Sequence, residues 1–167
     1  MHNKWIYHVL TQRMTGVHAA EHIVFIILII VLIFATITDL RERLIYDRFV
    51  LVGLGAVLAV RFFFREEPWW DYLLTGLGVT FALATIAVVT GGQAIGGGDI
   101  KVFGLIGIAL GFEKFLLVFI LSHLLAAFYI LARKLLRRGQ VTGDTGIPFA
   151  PYILAGVIVS YGLVGWI

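Results

Sequence analysis

The chain has 167 residues, of which 60% are hydrophobic and 14% charged, and its mean hydropathy is +1.00. No soluble domain of that length can hide so much apolar surface, so the composition points to an all-α, multi-pass membrane protein; the apolar runs are continuous rather than alternating, which excludes a β-barrel. The absence of cysteine excludes disulfides, thiolate metal sites and a cysteine nucleophile, and the net charge of +3 informs less than where Lys and Arg fall.

Residues 1–19 set Trp5, Ile6, Val9 and Leu10 at helical spacing among Lys4, His8 and Arg13. That is the pattern of a short interfacial helix, or of a disordered segment, ahead of a single helical membrane domain over 20–167. Trp5-Ile6-Tyr7 is too short for the apolar centre of a cleavable signal, so the first long run reads as a retained anchor. This run predicts a span over 23–38 that ends on Asp39, where the composition flips to Arg41, Glu42, Arg43, Asp47 and Arg48. A second span, 49–64, stops at Arg65-Glu66-Glu67-Pro68, and Trp69, Trp70 and Tyr72 then supply an interfacial aromatic belt.

The third span, 72–90, leads into Gly91-Gly92-Gln93-Ala94-Ile95, a loop of apolar and small residues. Irregular backbone of this kind is tolerated near membrane depth only where protein or a water-filled cavity surrounds it. The fourth span, 100–112, reaches about 20 Å against a hydrocarbon core of about 30 Å, so it is expected to start inside the membrane. A fifth, 115–132, ends in Arg133-Lys134 and Arg137-Arg138 before the polar loop 139–146, and a sixth covers 147–167. Six spans are therefore expected. Alternation gathers Arg41, Arg43, Arg48, Lys101, Arg133, Lys134, Arg137 and Arg138 on one side, against Lys4, Arg13, Arg61, Arg65 and Lys114 on the other. The richer side is cytoplasmic by the positive-inside rule, and Asp39 and Asp99 both fall there.

Asp99 follows the glycine bend Gly96-Gly97-Gly98 and precedes Ile100-Lys101. A carboxylate at a bilayer-embedded position costs at least about 2.5 kcal/mol, so it is rare without a task. Glycine accepts φ > 0 and lets another chain approach closely, which suits a site that admits a peptide. If the ends of the first and fourth helices pack together, Asp39 and Asp99 can share one proton: the ionised member deprotonates a water and the protonated one donates to a scissile carbonyl. Such a pair needs no cofactor and no metal. Which aspartate is the base stays open, because the proton belongs to the pair.

Gly96-Gly97-Gly98-Asp99-Ile100-Lys101 resembles the Gly-x-Gly-Asp-x-Lys motif of the type IV prepilin peptidases, a group of intramembrane aspartic proteases. Asp39-Leu40-Arg41-Glu42-Arg43-Leu44-Ile45 is similar to that family's first aspartate motif, and Ile147-Pro148-Phe149-Ala150-Pro151 resembles the segment opening its last helix. The resemblance implies a six-helix endopeptidase that removes the short basic leader of type IV prepilin-like proteins at the cytoplasmic face of the inner membrane. By position, Asp39 and Asp99 become the catalytic pair, with Gly96, Gly97, Gly98 and Lys101 beside the substrate. Tyr46-Asp47 departs from the family's Pro-Asn. Long bacterial members also carry a cysteine-bearing insertion and methylate the new N-terminus; this chain has no cysteine, so the resemblance implies peptidase activity alone. The expected partners are prepilin-like substrates and membrane lipid; no nucleic-acid partner is implied and no oligomeric state is set.

Other readings compete at each position. Asp99 can be a helix cap, and Asp39 an interfacial charge paired with Arg41 or Arg43. In a small transporter or channel subunit, Asp99 in a broken helix would bind a cation or relay a proton. Tyr46-Asp47 is similar to the Tyr-Asp of presenilin-type proteases but lies in a charged loop, where a solvated face is the simpler reading. His18-Ala19-Ala20-Glu21-His22 matches a His-x-x-Glu-His zinc pattern, against two ordinary interfacial histidines. Lys101 points away from Asp99 toward lipid phosphate or substrate backbone, His123 reads as a hydrogen-bonded packing residue, and Gly53, Gly55, Gly76 and Gly78 read as close helix contacts.

Overall fold

The computed structural model describes residues 3–93, 95–136 and 147–164, with side chains from residue 18 onward; Arg137, Arg138 and the polar loop 139–146 lie outside the described residues. The protein is all-α, with α1 (Asn3–Glu42), α2 (Asp47–Phe63), α3 (Trp69–Val89), α4 (Gly97–Leu136) and α5 (Ala150–Val164), and no strand occurs among the described residues. Three stretches are long and apolar enough to cross a membrane, His18–Glu42 of α1, all of α3 and all of α4, while α5 is a shorter apolar helix. From Asn3 the backbone is already helical and runs without a break into the first span.

α4 is two helices joined end to end. Gly111, at φ 74° and ψ 179°, breaks it into a first arm (97–110) and a second arm (112–136). Phe103 and His123 stack with ring centroids 5.8 Å apart, and Phe103 and Phe119 lie 5.1 Å apart. In a straight helix residues that far apart in sequence would be separated by about 24–30 Å, so the chain reverses at Gly111 and the arms run antiparallel. The arms, with α1, α2, α3 and α5, make six helical segments among the described residues where the sequence predicts six spans, though only three helices are long and apolar enough to cross a membrane.

The reversal strands backbone groups that side chains then satisfy. The Phe112 N–H donates to Asp71 Oδ2 at 3.0 Å, and Arg61 donates from Nε and Nη2 to the Ala109 carbonyl at 2.9 and 2.6 Å. Arg61, only 1% exposed, also pairs with Glu21 and lies 4.9 Å over the Tyr72 ring. Lys114 joins Glu21 (2.9 Å) to Glu66 (2.5 Å). Arg61 is thus a buried ligand of the helix reversal, and one expectation changes: Tyr72 is 1% exposed beneath it rather than part of an aromatic belt.

α4 packs against each of the other helices, whereas α2 and α3, consecutive in sequence, meet no more than marginally. α1 contributes Val24, Phe25, Leu28, Leu32 and Ala35 to the core at helical spacing, against Leu105, Ile106, Val57, Ile153 and Val157. The outward positions Leu73, Leu77, Phe81 and Val88 of α3 are exposed, as lipid-facing residues are. Gly76 and Gly107 bring α3 against the first arm: a Cβ on Gly107 would lie 2.9 Å from the Gly76 Cα. Gly53 also meets a neighbour closely, whereas Gly55 and Gly78 face open space, so the glycine reading holds for one residue in each of those helices.

Candidate active site

α1 ends and the first arm begins at the same end of the bundle, and three loops meet there. Asp39 lies in the last turn of α1 and is 9% exposed. Its Oδ2 accepts the backbone N–H of Ala150, the first residue of α5, at 3.0 Å. The segment 147–151 thus places a helix N-terminus, with its unpaired amides and partial positive charge, against the Asp39 carboxylate. Asp99 is the third residue of α4 and half-buried. Its carboxylate turns back toward Gly96, whose amide it faces, as an acidic residue in a first turn does.

Asp39 and Asp99 line the same two cavities and lie within coulombic reach of one another. The larger, about 720 Å³, is walled by Arg43 to Arg48, Gly96 to Gly98 and Lys101. The second, about 450 Å³, is aromatic and runs between Phe103, Phe119, His123 and Phe149. Two carboxylates remote in sequence thus line the same hollow.

The glycines work differently from the sequence expectation. Gly96, Gly97 and Gly98 all have negative φ; the left-handed residues are Gly91 (φ 61°) and Gly92 (φ 77°), which close α3 as Gly92 N–H donates to the Ala87 carbonyl at 2.7 Å. Gly98 instead provides space. Ile45, buried in the loop after Asp39, fills the place a Gly98 side chain would need. Arg43 also takes a left-handed conformation, φ 54°, with its N–H donating to the Asp39 carbonyl at 3.0 Å. Glycine is the usual residue in such a helix stop, so an arginine there is held at a cost in backbone strain.

Lys101 is paired with Asp47 at 2.5 Å, joining the first arm to the start of α2 at the rim of the larger cavity. Asp47 is therefore exposed and ion-paired. Tyr46 hydrogen-bonds to Glu42, and that carboxylate holds its phenol above the ordinary tyrosine range. In the His-x-x-Glu-His pattern, Glu21 is engaged by Arg61 and Lys114, and His22 Nδ1 bonds to the Tyr161 hydroxyl at 3.0 Å.

Arg43, Gln93 and His123 line the aromatic cavity without having been assigned to the site from sequence. His123 Nδ1 donates to the Phe119 carbonyl at 2.8 Å, as expected of a hydrogen-bonded packing residue, yet the ring is exposed into the cavity. A lone imidazole inside an apolar span was the available signal. Its proximity to Asp99 depends on the reversal at Gly111.

Residues 26–131, from α1 to the second arm of α4, match the type IV leader peptidase family. The chain is 35% identical over 136 residues to a prepilin leader peptidase/N-methyltransferase of Bacillus subtilis (strain 168), covering 81% of this chain and 54% of the relative. It is 29% identical to the protein of the same name from Pseudomonas putida, over 79% of this chain and 44% of the relative, and 26% identical to that from Stutzerimonas stutzeri, over 77% and 43%. The chain thus spans about half the length of these relatives. No solved structure matches. With the match running through both aspartate segments and most of the helical bundle, the chain belongs to the type IV leader peptidase family.

Proposed function

We propose that this chain is an intramembrane aspartic endopeptidase that removes the leader of type IV prepilin-like proteins at the cytoplasmic face of the inner membrane, with Asp39 and Asp99 as its catalytic pair. One observation carries the assignment: carboxylates from the end of α1 and the start of α4 line both cavities of one site. In the reaction one carboxylate, ionised, takes a proton from the water between them, and the other donates a hydrogen bond to the scissile carbonyl. The proton then passes to the leaving amine, and the pair returns to its singly protonated state. Ala150 N–H occupies one oxygen of Asp39 and orients the other. The backbone of Gly96 to Gly98 borders the extended peptide, and the Lys101–Asp47 pair stands at the mouth. A cytoplasmic site is supported by Arg41, Arg43, Arg48, Lys101, Arg133 and Lys134 at the dyad end, against Arg61, Arg65 and Lys114 at the other, where Arg61 and Lys114 are neutralised by Glu21 and Glu66. Among the relatives' two named activities, the peptidase is the one these carboxylates can perform.

The test is co-expression with candidate prepilins, with leader loss scored by mass spectrometry. Wild type should release the leader, and Asp39→Asn and Asp99→Asn should each abolish release while the protein still inserts. Cleavage that survives both substitutions would overturn the assignment. An ion-conducting subunit would instead need one carboxylate with carbonyl ligands, and only Asp99→Asn would then have an effect.

A further inference from the structure

A third cavity, about 480 Å³, opens at the dyad end between α1, the second arm of α4 and α5. Among the described residues its cations are Arg43 and Arg133, and no described carboxylate lines it. Neither guanidinium forms an ion pair among the described residues. Tyr129 and Tyr152 face it as a ring pair with centroids 5.6 Å apart. Two guanidiniums without an ion pair among the described residues, on one cavity with two tyrosines, suit an anion, and the planar fork of arginine matches phosphate oxygens two at a time.

The position says which anion. Arg133 is in the last turn of α4 and Arg43 directly follows α1, so the cations sit where helices leave hydrocarbon, the level of lipid headgroups. Tyrosines at that level have their rings in the apolar zone and their hydroxyls toward water. One wall is Leu40, itself 59% exposed, and Ile37 one turn along α1 is also exposed, so an apolar surface continues from the cavity toward the lipid. Basic pockets between transmembrane helices are known receptors for anionic headgroups. We propose that this cavity, with Arg43 and Arg133 as its cations, binds the phosphate headgroup of an anionic membrane phospholipid. Arg43 also lines both cavities of the aspartates, so the lipid and the peptide share a residue. Lipid binding is independent of the peptidase assignment, and its test needs no cleavage.

Full-length protein in phosphatidylcholine nanodiscs is titrated with phosphatidylglycerol, and retained lipid is counted by native mass spectrometry. Wild type should hold phosphatidylglycerol in preference to phosphatidylcholine. Arg133→Gln should weaken retention about tenfold, Tyr152→Phe should weaken it less, and Arg133→Lys should keep part of it, because a point charge replaces a fork. Lys134→Gln, next to the cavity but outside its lining, should leave retention unchanged. Inorganic phosphate is the competing probe. Its displacement of the lipid at equal concentration would overturn the headgroup assignment in favour of a free anion. Equal retention by wild type and by a folded Arg133→Gln protein would overturn the site, as would capture of an acidic peptide with no preference among lipids.

Discussion

Ile45 occupies the space in front of Gly98: a Cβ added to that glycine would lie 2.9 Å from the Ile45 Cβ and 3.2 Å from its Cδ1. The loop that leaves Asp39 is thereby seated on the first turn of the helix that carries Asp99. The contact holds the two aspartate segments in register without either carboxylate taking part.

Gly98→Ala should therefore reduce leader cleavage while leaving the helical content intact. The added methyl must push Ile45 and the end of α1 aside, and a misplacement of about 1 Å at a reacting centre can cost about a hundredfold in rate. Gly78→Ala, on α3 outside both cavities and meeting nothing within 4 Å, is the control and should retain activity. Circular dichroism together with a cleavage time course separates the two outcomes.

Cleavage by the wild type should show a bell-shaped dependence on pH, because activity requires one proton on the pair, neither two nor none. Asp47→Asn should remain active, since it breaks an exposed ion pair with Lys101 of about 0–1 kcal/mol. An inactive Asp47→Asn beside an active Asp39→Asn would reassign the pair.

Arg61→Met should destabilise the protein by about 3–5 kcal/mol, because it leaves Glu21 short of a partner and the Ala109 carbonyl without a donor. The double variant Glu21→Gln/Arg61→Met should lose less than the sum of the single variants, since the two residues contact one another. Unfolding in mixed detergent, followed by tryptophan fluorescence, measures both.

His123→Trp should raise KM with little change in kcat. The larger ring would fill part of the 450 Å³ cavity beside the aspartates, where a peptide bound at the proposed dyad would extend, and leave the carboxylates alone. A fall in kcat at unchanged KM would mean that the imidazole takes part in the chemistry.

Segment count, helical class and the ends on which charge gathers were legible because continuous apolar runs interrupted by charge leave few other solutions in a bilayer. The short fourth span was legible too, since Phe112-Glu113-Lys114 interrupts the apolar run beside Gly111. The role of Gly98 was not. Glycine permits both left-handed backbone and close approach, and sequence alone does not say which is used; here Gly91 and Gly92 take the first and Gly98 the second. The engagement of Asp39 by Ala150 was hidden because it joins residues 111 positions apart. The burial of Arg61 was hidden for a related reason: only the helix reversal presents it with a bare carbonyl.

At the rim away from the aspartates, Arg61 grips the end of the first arm, Asp71 grips the start of the second, and Lys114 ties α1 to the loop between α2 and α3. Among the described residues, the polar fastenings at the opposite rim are one amide on Asp39 and a single exposed ion pair, beside the Gly98–Ile45 contact and ring pairs such as Phe34–Phe49 and Tyr129–Tyr152. The bundle is thus built like tongs, riveted by buried charge at one end and held by softer contacts at the other, so that any yielding at the proposed site falls to the jaws that carry the carboxylates.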